Sequence, residues 1–195
     1  MWMLLAGLAS AEGERPFRVG LGAGAGSAWV QTLYWSGSAR GLVPVGSLRF
    51  LIDDRLILEP SVSFERATVA PSAGYVIEDQ ALELGLTLKP LFGQQEGVVV
   101  YPVLTYGRLD GTRRLSALDD EDVEPSVDHY MGMLGTAGVG AHRWFGSDLT
   151  LSIDINAAGF SKGTLTQGEG EDREEESTTI WGFNPSARVM LHFYW

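Results

Sequence analysis

The chain has no cysteine, few basic residues and no long apolar segment. Its 195 residues include 14 Lys and Arg against 25 Asp and Glu, a net charge of −11. The absence of cysteine excludes disulfides and thiolate metal sites, and the acidic balance argues against nucleic-acid binding, which depends on Lys and Arg. A transmembrane helix needs about 18 consecutive apolar residues, and no stretch beyond the amino-terminal residues provides them. If this chain crosses a membrane, it must do so with strands.

The first eleven residues have the composition of an export signal. Residues 1–11 are apolar and end in Ala9-Ser10-Ala11, the small-x-small pattern that signal peptidase cleaves. No basic residue precedes them, so a displaced start and a buried helix remain as alternatives. We predict a signal peptide at residues 1–11 and one folded domain at residues 16–195.

From Phe17 onwards the sequence alternates with a period of two, which predicts β-strands. In the first segment Phe17 and Leu21 fall on one side, while Arg18 and the glycines from Gly20 to Gly26 fall on the other. The pattern recurs seven more times, giving segments of about ten residues, the length of a tilted membrane-crossing strand. These segments are Leu48–Ile52, Leu56–Phe64, Leu82–Leu88, Val100–Tyr106, Met131–Ala141, Leu149–Ala157 and Ile180–Trp195.

Long polar connections alternate with short turns between these segments. The long ones, at residues 27–44, 69–80, 110–129 and 161–179, carry −10 of the net charge of −11. In an antiparallel barrel they would gather at one end, as in membrane barrels that have short periplasmic turns and long extracellular loops. Aromatic residues near the ends of the apolar bands predict interfacial girdles. One rim would hold Trp29, Tyr34 and Trp35, and the other Phe92, Trp144, Phe145, Phe193 and Trp195.

The pattern as a whole predicts an all-β fold, an eight-stranded antiparallel up-and-down transmembrane β-barrel. The alternative is a soluble, lipocalin-like carrier, which would point its apolar face inward. The face opposite the apolar band favours the membrane barrel, because an apolar lumen of Phe, Leu, Ile and Trp would form a large dry cavity. That opposite face carries Arg18, Arg49, Glu59, Glu65, Glu83, Lys89, Asp154 and Arg188.

Six of these charged residues are predicted to pair inside the lumen as a structural network. An eight-stranded barrel is just wide enough to be filled by side chains, so no wide solute channel is expected. Unpaired buried charges are costly, and Arg188 is expected to pair with Asp154 or Glu59. A rearranging salt-bridge gate that leaks ions is the alternative. The predicted network consists of Arg18, Arg49, Glu59, Glu83, Asp154 and Arg188.

Two candidate catalytic or nucleotide patterns are weak. The glycines from Gly20 to Gly26 lack the dinucleotide spacing and the following helix, so we interpret them as small residues that let a narrow lumen close. If the turn at residues 145–148 pairs its strands directly, His142 lies opposite Ser152 with Asp154 on the same face. A serine nucleophile needs such a base and acid within reach, but this set would point into a packed lumen, which favours an unreactive polar cluster.

The acidic segments at residues 119–124 and 169–176 lack the ligand spacing of a calcium loop. We expect solvated loops, with weak collective binding of divalent cations as the alternative. Such a site would use Asp119, Asp120, Glu121 and Asp122.

The last segment carries the most specific resemblance. Val189, Leu191, Phe193 and Trp195 alternate and end on an aromatic residue, which resembles the terminal strand of bacterial outer-membrane proteins. With the signal-like start and eight strands, the chain resembles the small OmpA/OmpX-like outer-membrane barrels. The resemblance implies outer-membrane localisation and recognition of these four residues by the barrel-assembly machinery.

The functional prediction is a non-enzymatic, monomeric outer-membrane barrel with a structural or surface-interaction role and no cofactor. Its expected partners are outer-membrane lipid and lipopolysaccharide, with a cationic or divalent-ion-mediated partner at the acidic loops and no nucleic acid. A lipid-active enzyme of unfamiliar motif and the soluble carrier are the alternatives.

Overall fold

The computed structural model describes residues 17–27, 42–69, 75–92, 97–117, 125–167 and 174–195. These residues form eight antiparallel strands, each paired with the next, and the first pairs with the last to close a barrel. The strands are β1 Phe17–Ser27, β2 Leu42–Ile52, β3 Leu56–Val69, β4 Tyr75–Pro90, β5 Val98–Ala117, β6 Ser126–Phe145, β7 Leu149–Gln167 and β8 Glu174–Tyr194. The predicted signal peptide, residues 1–11, lies outside the described residues, as do Trp29, Tyr34 and Trp35.

The strands place their apolar residues outward and their polar residues inward. On β5, Val100 is 65% exposed and Leu104 is 52% exposed, whereas Tyr101 between them is 1% exposed. The lumen contains fully buried charged side chains, including Arg49 and Lys89. The predicted eight-stranded barrel is confirmed, with the apolar exterior expected of a barrel that spans a membrane, and the lipocalin-like alternative is wrong because it requires the opposite polarity. No helix within the described ranges is long and apolar enough to span a membrane.

The strands are longer than the apolar pattern predicted. β5 and β6 remain paired up to Leu115 and Ser126, and β7 and β8 up to Gln167 and Glu174. Most of residues 69–80, 110–129 and 161–179 lies in strands, and their prediction as loops was wrong. Above Tyr106 the outward face of β5 becomes polar with Arg108 and Asp110, while Leu109 stays buried in the lumen. The apolar outward alternation therefore stops, although backbone pairing with the neighbouring strand continues.

The opposite end of the barrel has tight turns. Asp53 and Asp54 adopt positive φ angles of 48° and 52°, and Arg55 N–H donates to the Ile52 carbonyl at 2.9 Å. Gly146 has a φ of 74° in the turn between β6 and β7. Positive φ at both central residues suits the twist of a short hairpin. We call this end the inner end of the barrel and the other the outer end.

A bulge in β7 changes which residues face outward in its outer half. The pairing of β7 with β6 shifts between Asn156 and Ala158, leaving Ala157 as an extra residue. Beyond the bulge Ala158 is exposed and Ser161 is fully buried, so Phe160 lies on the outward face. The sequence predicted that the regular alternation of outward apolar residues continues to Ala157. The bulge interrupts that alternation at this residue.

Candidate functional site

The inner half of the lumen contains a compact cluster of four charged side chains. Arg49 Nε donates to Glu59 Oε2 at 2.6 Å. Lys89 Nζ lies 2.8 Å from the same Glu59 oxygen and 2.7 Å from Asp154 Oδ2. These residues come from β2, β3, β4 and β7, so the ion pairs connect opposite sides of the barrel. Two positive and two negative charges compensate one another, as charges removed from water require. We call these four residues the inner ionic cluster.

Neutral groups add hydrogen bonds to this cluster, in which Arg49 Nη1 and Glu59 Oε1 have no hydrogen-bond partner within the described residues. Tyr101 Oη donates to Asp154 Oδ1 at 3.2 Å, and Arg49 Nη2 donates to Ser152 Oγ at 3.0 Å. The His192 Nε2 atom lies 3.1 Å from Ser47 Oγ. The inner ionic cluster and these partners lie together inside the lumen, where the four charged side chains are at most 4% exposed.

Aromatic residues cover the cluster on its inner side. The Trp144 and Tyr194 rings lie 4.8 Å apart between centroids, and the Arg18 guanidinium lies 4.4 Å above the Trp144 ring. Arg18 also donates a hydrogen bond to the Ser147 carbonyl. The prediction that Trp144 belongs to an interfacial girdle was wrong, because its ring packs into the lumen. Arg18 contacts aromatic rings and a turn carbonyl here and takes no part in the carboxylate pairs.

The outer half of the lumen contains a buried apolar cluster and separate ion pairs. Arg113 holds Asp79 with two hydrogen bonds, of 2.9 and 3.1 Å, while Arg188 and Glu83 are 3.6 Å apart. A cavity of about 20 Å³, large enough for about one water molecule, lies beside the Arg188–Glu83 pair. The Glu65 carboxylate is buried, and neither of its oxygens has a hydrogen-bond partner within the described residues.

The predicted partners of Arg188 differ from those that the structure shows. The sequence paired it with Asp154 or Glu59, whereas the structure places it beside Glu83 and within 3.2 Å of Ser61 Oγ. Lys89 takes both predicted acids instead. The alternation already placed Lys89 inward, but only the stagger of the strands determines which inward residues share a level.

The candidate catalytic set is not arranged for nucleophilic attack. His142 lies opposite Ser152 as the short turn predicted. However, Ser152 accepts a hydrogen bond from Arg49, and Asp154 binds Lys89 and Tyr101. Both His142 nitrogens lack hydrogen-bond partners within the described part of the chain. The acid therefore does not orient the histidine, and the histidine does not activate the serine.

The possible metal residues Asp119, Asp120, Glu121 and Asp122 lie outside the described residues. Within the described ranges, no group of three or more His, Asp or Glu side chains is arranged to hold a metal ion.

The exterior of the barrel carries an apolar belt with aromatic residues at both edges. At the inner edge, Phe92, Phe145, Phe193 and Trp195 are exposed, the last of them by 67%. At the outer edge Trp181 is 74% exposed. The predicted terminal-strand residues Val189, Leu191, Phe193 and Trp195 all face outward, and β8 pairs with β1 from Gly20↔Tyr194 to Gly26↔Arg188. The side chains of Phe183 and Pro185 lie outside the described set.

Comparison with known proteins finds similarity of fold only. No family model matches the chain, and no curated protein matches its sequence. A major outer membrane protein from Thermus thermophilus is similar in structure, with a TM-score of 0.60 and 13% identity over 92% of this chain and 99% of that one.

Two further solved structures give lower scores. The amino-terminal β-barrel domain of Pseudomonas aeruginosa OprF has a TM-score of 0.48 at 13% identity, covering 91% of this chain and 97% of that one. Neisserial surface protein A has a TM-score of 0.48 at 18% identity, covering 94% and 98%. The chain therefore has the fold of an eight-stranded β-barrel with an apolar exterior, similar to that of the Thermus thermophilus outer membrane protein.

Proposed function

We propose that this protein is a closed, non-enzymatic outer-membrane barrel that holds rigid acidic hairpins outside the membrane for interaction with cationic partners. The observation that carries the proposal is the contrast between a lumen closed by ion pairs and strands that continue well beyond the apolar belt.

The closed lumen argues against transport of large solutes. The inner ionic cluster is at most 4% exposed, and aromatic rings lie on its inner side. Breaking a buried ion pair by removing one partner costs about 3–5 kcal/mol, so the resting lumen stays closed. The side chains inside the barrel are thus committed to its stability.

The extended hairpins provide the surface for interaction. β5 continues from Arg108 to Ala117 beyond the apolar belt, about 30 Å at 3.3 Å per residue. β8 begins with Glu174, Glu175 and Glu176, which are all exposed. Loops and hairpin ends on a rigid scaffold are where binding residues concentrate. The negative charge favours cationic or divalent-ion-mediated partners, whose attraction decreases as salt screens it.

We also propose that the outward residues of β8 serve in assembly. Val189, Leu191, Phe193 and Trp195 form one exposed apolar row on the strand that closes the barrel against β1. A partner that guides closure would find this row accessible before β1 and β8 pair. The barrel-assembly machinery is the partner expected for such a strand.

Membrane insertion is tested by cell fractionation followed by electrophoresis of unheated and boiled samples. A closed barrel resists detergent and migrates as a compact species until heated, so we expect a heat-dependent shift in the outer-membrane fraction. Recovery in the soluble fraction without a shift would contradict insertion.

Surface interaction is tested by protease treatment of intact cells and by binding of Ca²⁺ and basic peptides. We expect cleavage near residues 118–124 and 168–173, and binding that weakens at high salt. Cleavage only after the outer membrane is opened would place the acidic hairpins in the periplasm and contradict the proposed orientation.

A further inference from the structure

The lipid-facing wall has a groove where the β7 bulge meets small residues of β6. The floor consists of Gly135, Ala137 and Ala158, with Tyr106 on one side and Trp181 on the other. Its volume is about 600 Å³, within the range of about 300–1,000 Å³ that is usual for ligand sites. We call it the lateral groove.

The shape of the lateral groove follows from the strand register. Gly135 pairs with Tyr106 on β5 and with Phe160 on β7, which pairs in turn with Trp181 on β8. The Phe160 and Trp181 rings lie 5.0 Å apart between centroids. A Cβ atom on Gly135 would collide with the Phe160 ring, so the glycine lets this aromatic pair lie against the wall. The result is a trough of small residues between bulky apolar walls.

Two cationic side chains lie immediately beyond the outer end of the groove. Arg108 and Lys162 are both exposed, and each pairs in register with Met133, one on either side. They follow Tyr106 and Phe160 by two residues, or about 7 Å along the strand. Neither forms an ion pair with a carboxylate within the described residues, and the nearby Asp110 carboxylate pairs with His129 at 3.0 Å.

From this juxtaposition we infer that the lateral groove binds a phosphate-bearing membrane lipid, with one acyl chain in the trough and the phosphate against Arg108 and Lys162. The inference rests on the proposed insertion in a membrane, because only then does hydrocarbon cover the groove. Long basic side chains at the edge of an apolar belt direct their charged ends towards the lipid headgroups, where they attract anionic lipids.

The two cationic side chains favour an anionic lipid, and not a second copy of the chain, as the ligand of the lateral groove. A two-fold partner presents the same residues to the same patch, and would bring a second Arg108 and Lys162 to this edge. Like charges would then face each other across an apolar contact. An anionic lipid instead satisfies the apolar trough and both cations together.

The test uses Trp181 as a reporter in the full chain, reconstituted in phosphatidylcholine vesicles. Bromine on an acyl chain quenches a nearby tryptophan, and the Trp181→Phe variant isolates the signal of this residue. We expect brominated phosphatidylglycerol to quench Trp181 at a membrane fraction about thirtyfold lower than brominated phosphatidylcholine, the enrichment that corresponds to about 1 kcal/mol for each of two basic side chains near an anionic lipid.

The double variant Arg108→Gln/Lys162→Gln should lose this preference. The matched control is Arg143→Gln, because Arg143 is also exposed but lies near the inner edge, beside Phe145, and it should keep the preference. Equal quenching by both lipids in the unmodified chain, or an unchanged preference in the double variant, would overturn the inference.

A second variant tests the acyl-chain part of the site. Ala158→Phe fills the trough from an exposed position, and native mass spectrometry should show loss of the retained phosphatidylglycerol. Full retention of that lipid would overturn the inference, as would a cross-linked dimer whose Trp181 neither lipid quenches. If neither lipid quenches Trp181 or Trp195 and no heat-dependent shift occurs, the proposed membrane insertion itself fails.

Discussion

The inner and outer halves of the lumen both contain buried charged side chains, but these side chains are paired differently in the two halves. In the inner half, Lys89 connects two carboxylates at 2.7 and 2.8 Å, with essentially no exposure to solvent. In the outer half, Arg188 and Glu83 are 3.6 Å apart beside a small cavity. The inner charged residues form a connected network, whereas the outer ones form separate pairs, of which Arg188–Glu83 lies beside the cavity.

This difference indicates that stability is concentrated at the inner end and adaptability at the outer end. A connected buried network loses several contacts when one member is removed, and low dielectric makes each loss expensive. A pair beside a cavity can be rescued by water. Five variants follow, from the largest expected effect to the smallest: the first three test this comparison inside the lumen, and the last two test the exterior.

Lys89→Met should have the largest effect, because it leaves Glu59 and Asp154 without their shared cation. We expect a loss of about 3–5 kcal/mol in the free energy of unfolding, measured by urea titration in detergent micelles. Combining it with Asp154→Asn should restore part of the loss. A decrease no larger than that of Arg188→Leu would contradict the comparison.

Gly140→Ala should be the next most damaging change. A Cβ atom at this position would collide with Asp154 and with the Tyr101 ring, and overpacking of this kind costs about 1–3 kcal/mol. Gly46→Ala is the matched control, since the nearest atom to a Cβ there is a Val62 methyl at 3.8 Å. If both variants unfold at the same urea concentration, the inner lumen is not tightly packed.

Arg188→Leu should cost less than Lys89→Met, about 1–3 kcal/mol for a buried group left without its partner. Glu83 remains beside the cavity, where a water molecule can replace part of the lost contact. The additional substitution Glu83→Gln should recover stability. A loss equal to that of Lys89→Met would show that the outer pair is as dry as the inner cluster.

Trp195→Ala should change the finished barrel little, because the side chain is 67% exposed and the strand keeps its pairing with β1. We expect a lower yield in the outer membrane of cells, with normal refolding into detergent. Ala187→Ser, on the same outward face of β8, serves as the control. A normal cellular yield would contradict the proposed assembly role.

Replacing Glu174, Glu175 and Glu176 with Gln should have the smallest effect on stability, since all three are exposed. Binding of Ca²⁺ and basic peptides should decrease while the heat-dependent shift remains. The control neutralises two carboxylates at the exposed inner turn, Asp53→Asn with Asp54→Asn, and it should leave binding unchanged. If the glutamate variant binds Ca²⁺ and basic peptides as well as the unmodified chain, these three residues do not form the binding surface.

Much of the architecture could be predicted because the side-chain period in a strand is two. That period separates Leu21 from Gly20 and Val100 from Tyr101 without knowledge of any neighbour. It also indicates a membrane barrel, because the charged residues fall opposite the apolar ones. The outer parts of β5 to β8 were not predicted as strands, because their outward positions carry no regular row of apolar residues. Only pairing with a neighbouring strand reveals them.

For most of the apolar belt, the sequence by itself determined which residues face outward and which face the lumen, since that choice depends on local alternation and on the cost of placing charge in hydrocarbon. Only the tertiary structure decided that Lys89 lies between Glu59 and Asp154, that Trp144 turns inward, and that Arg108 and Lys162 flank one groove. These relations depend on the stagger between strands and on the bulge at Ala157. Both are set by pairing across the whole barrel, which no single segment of the sequence encodes.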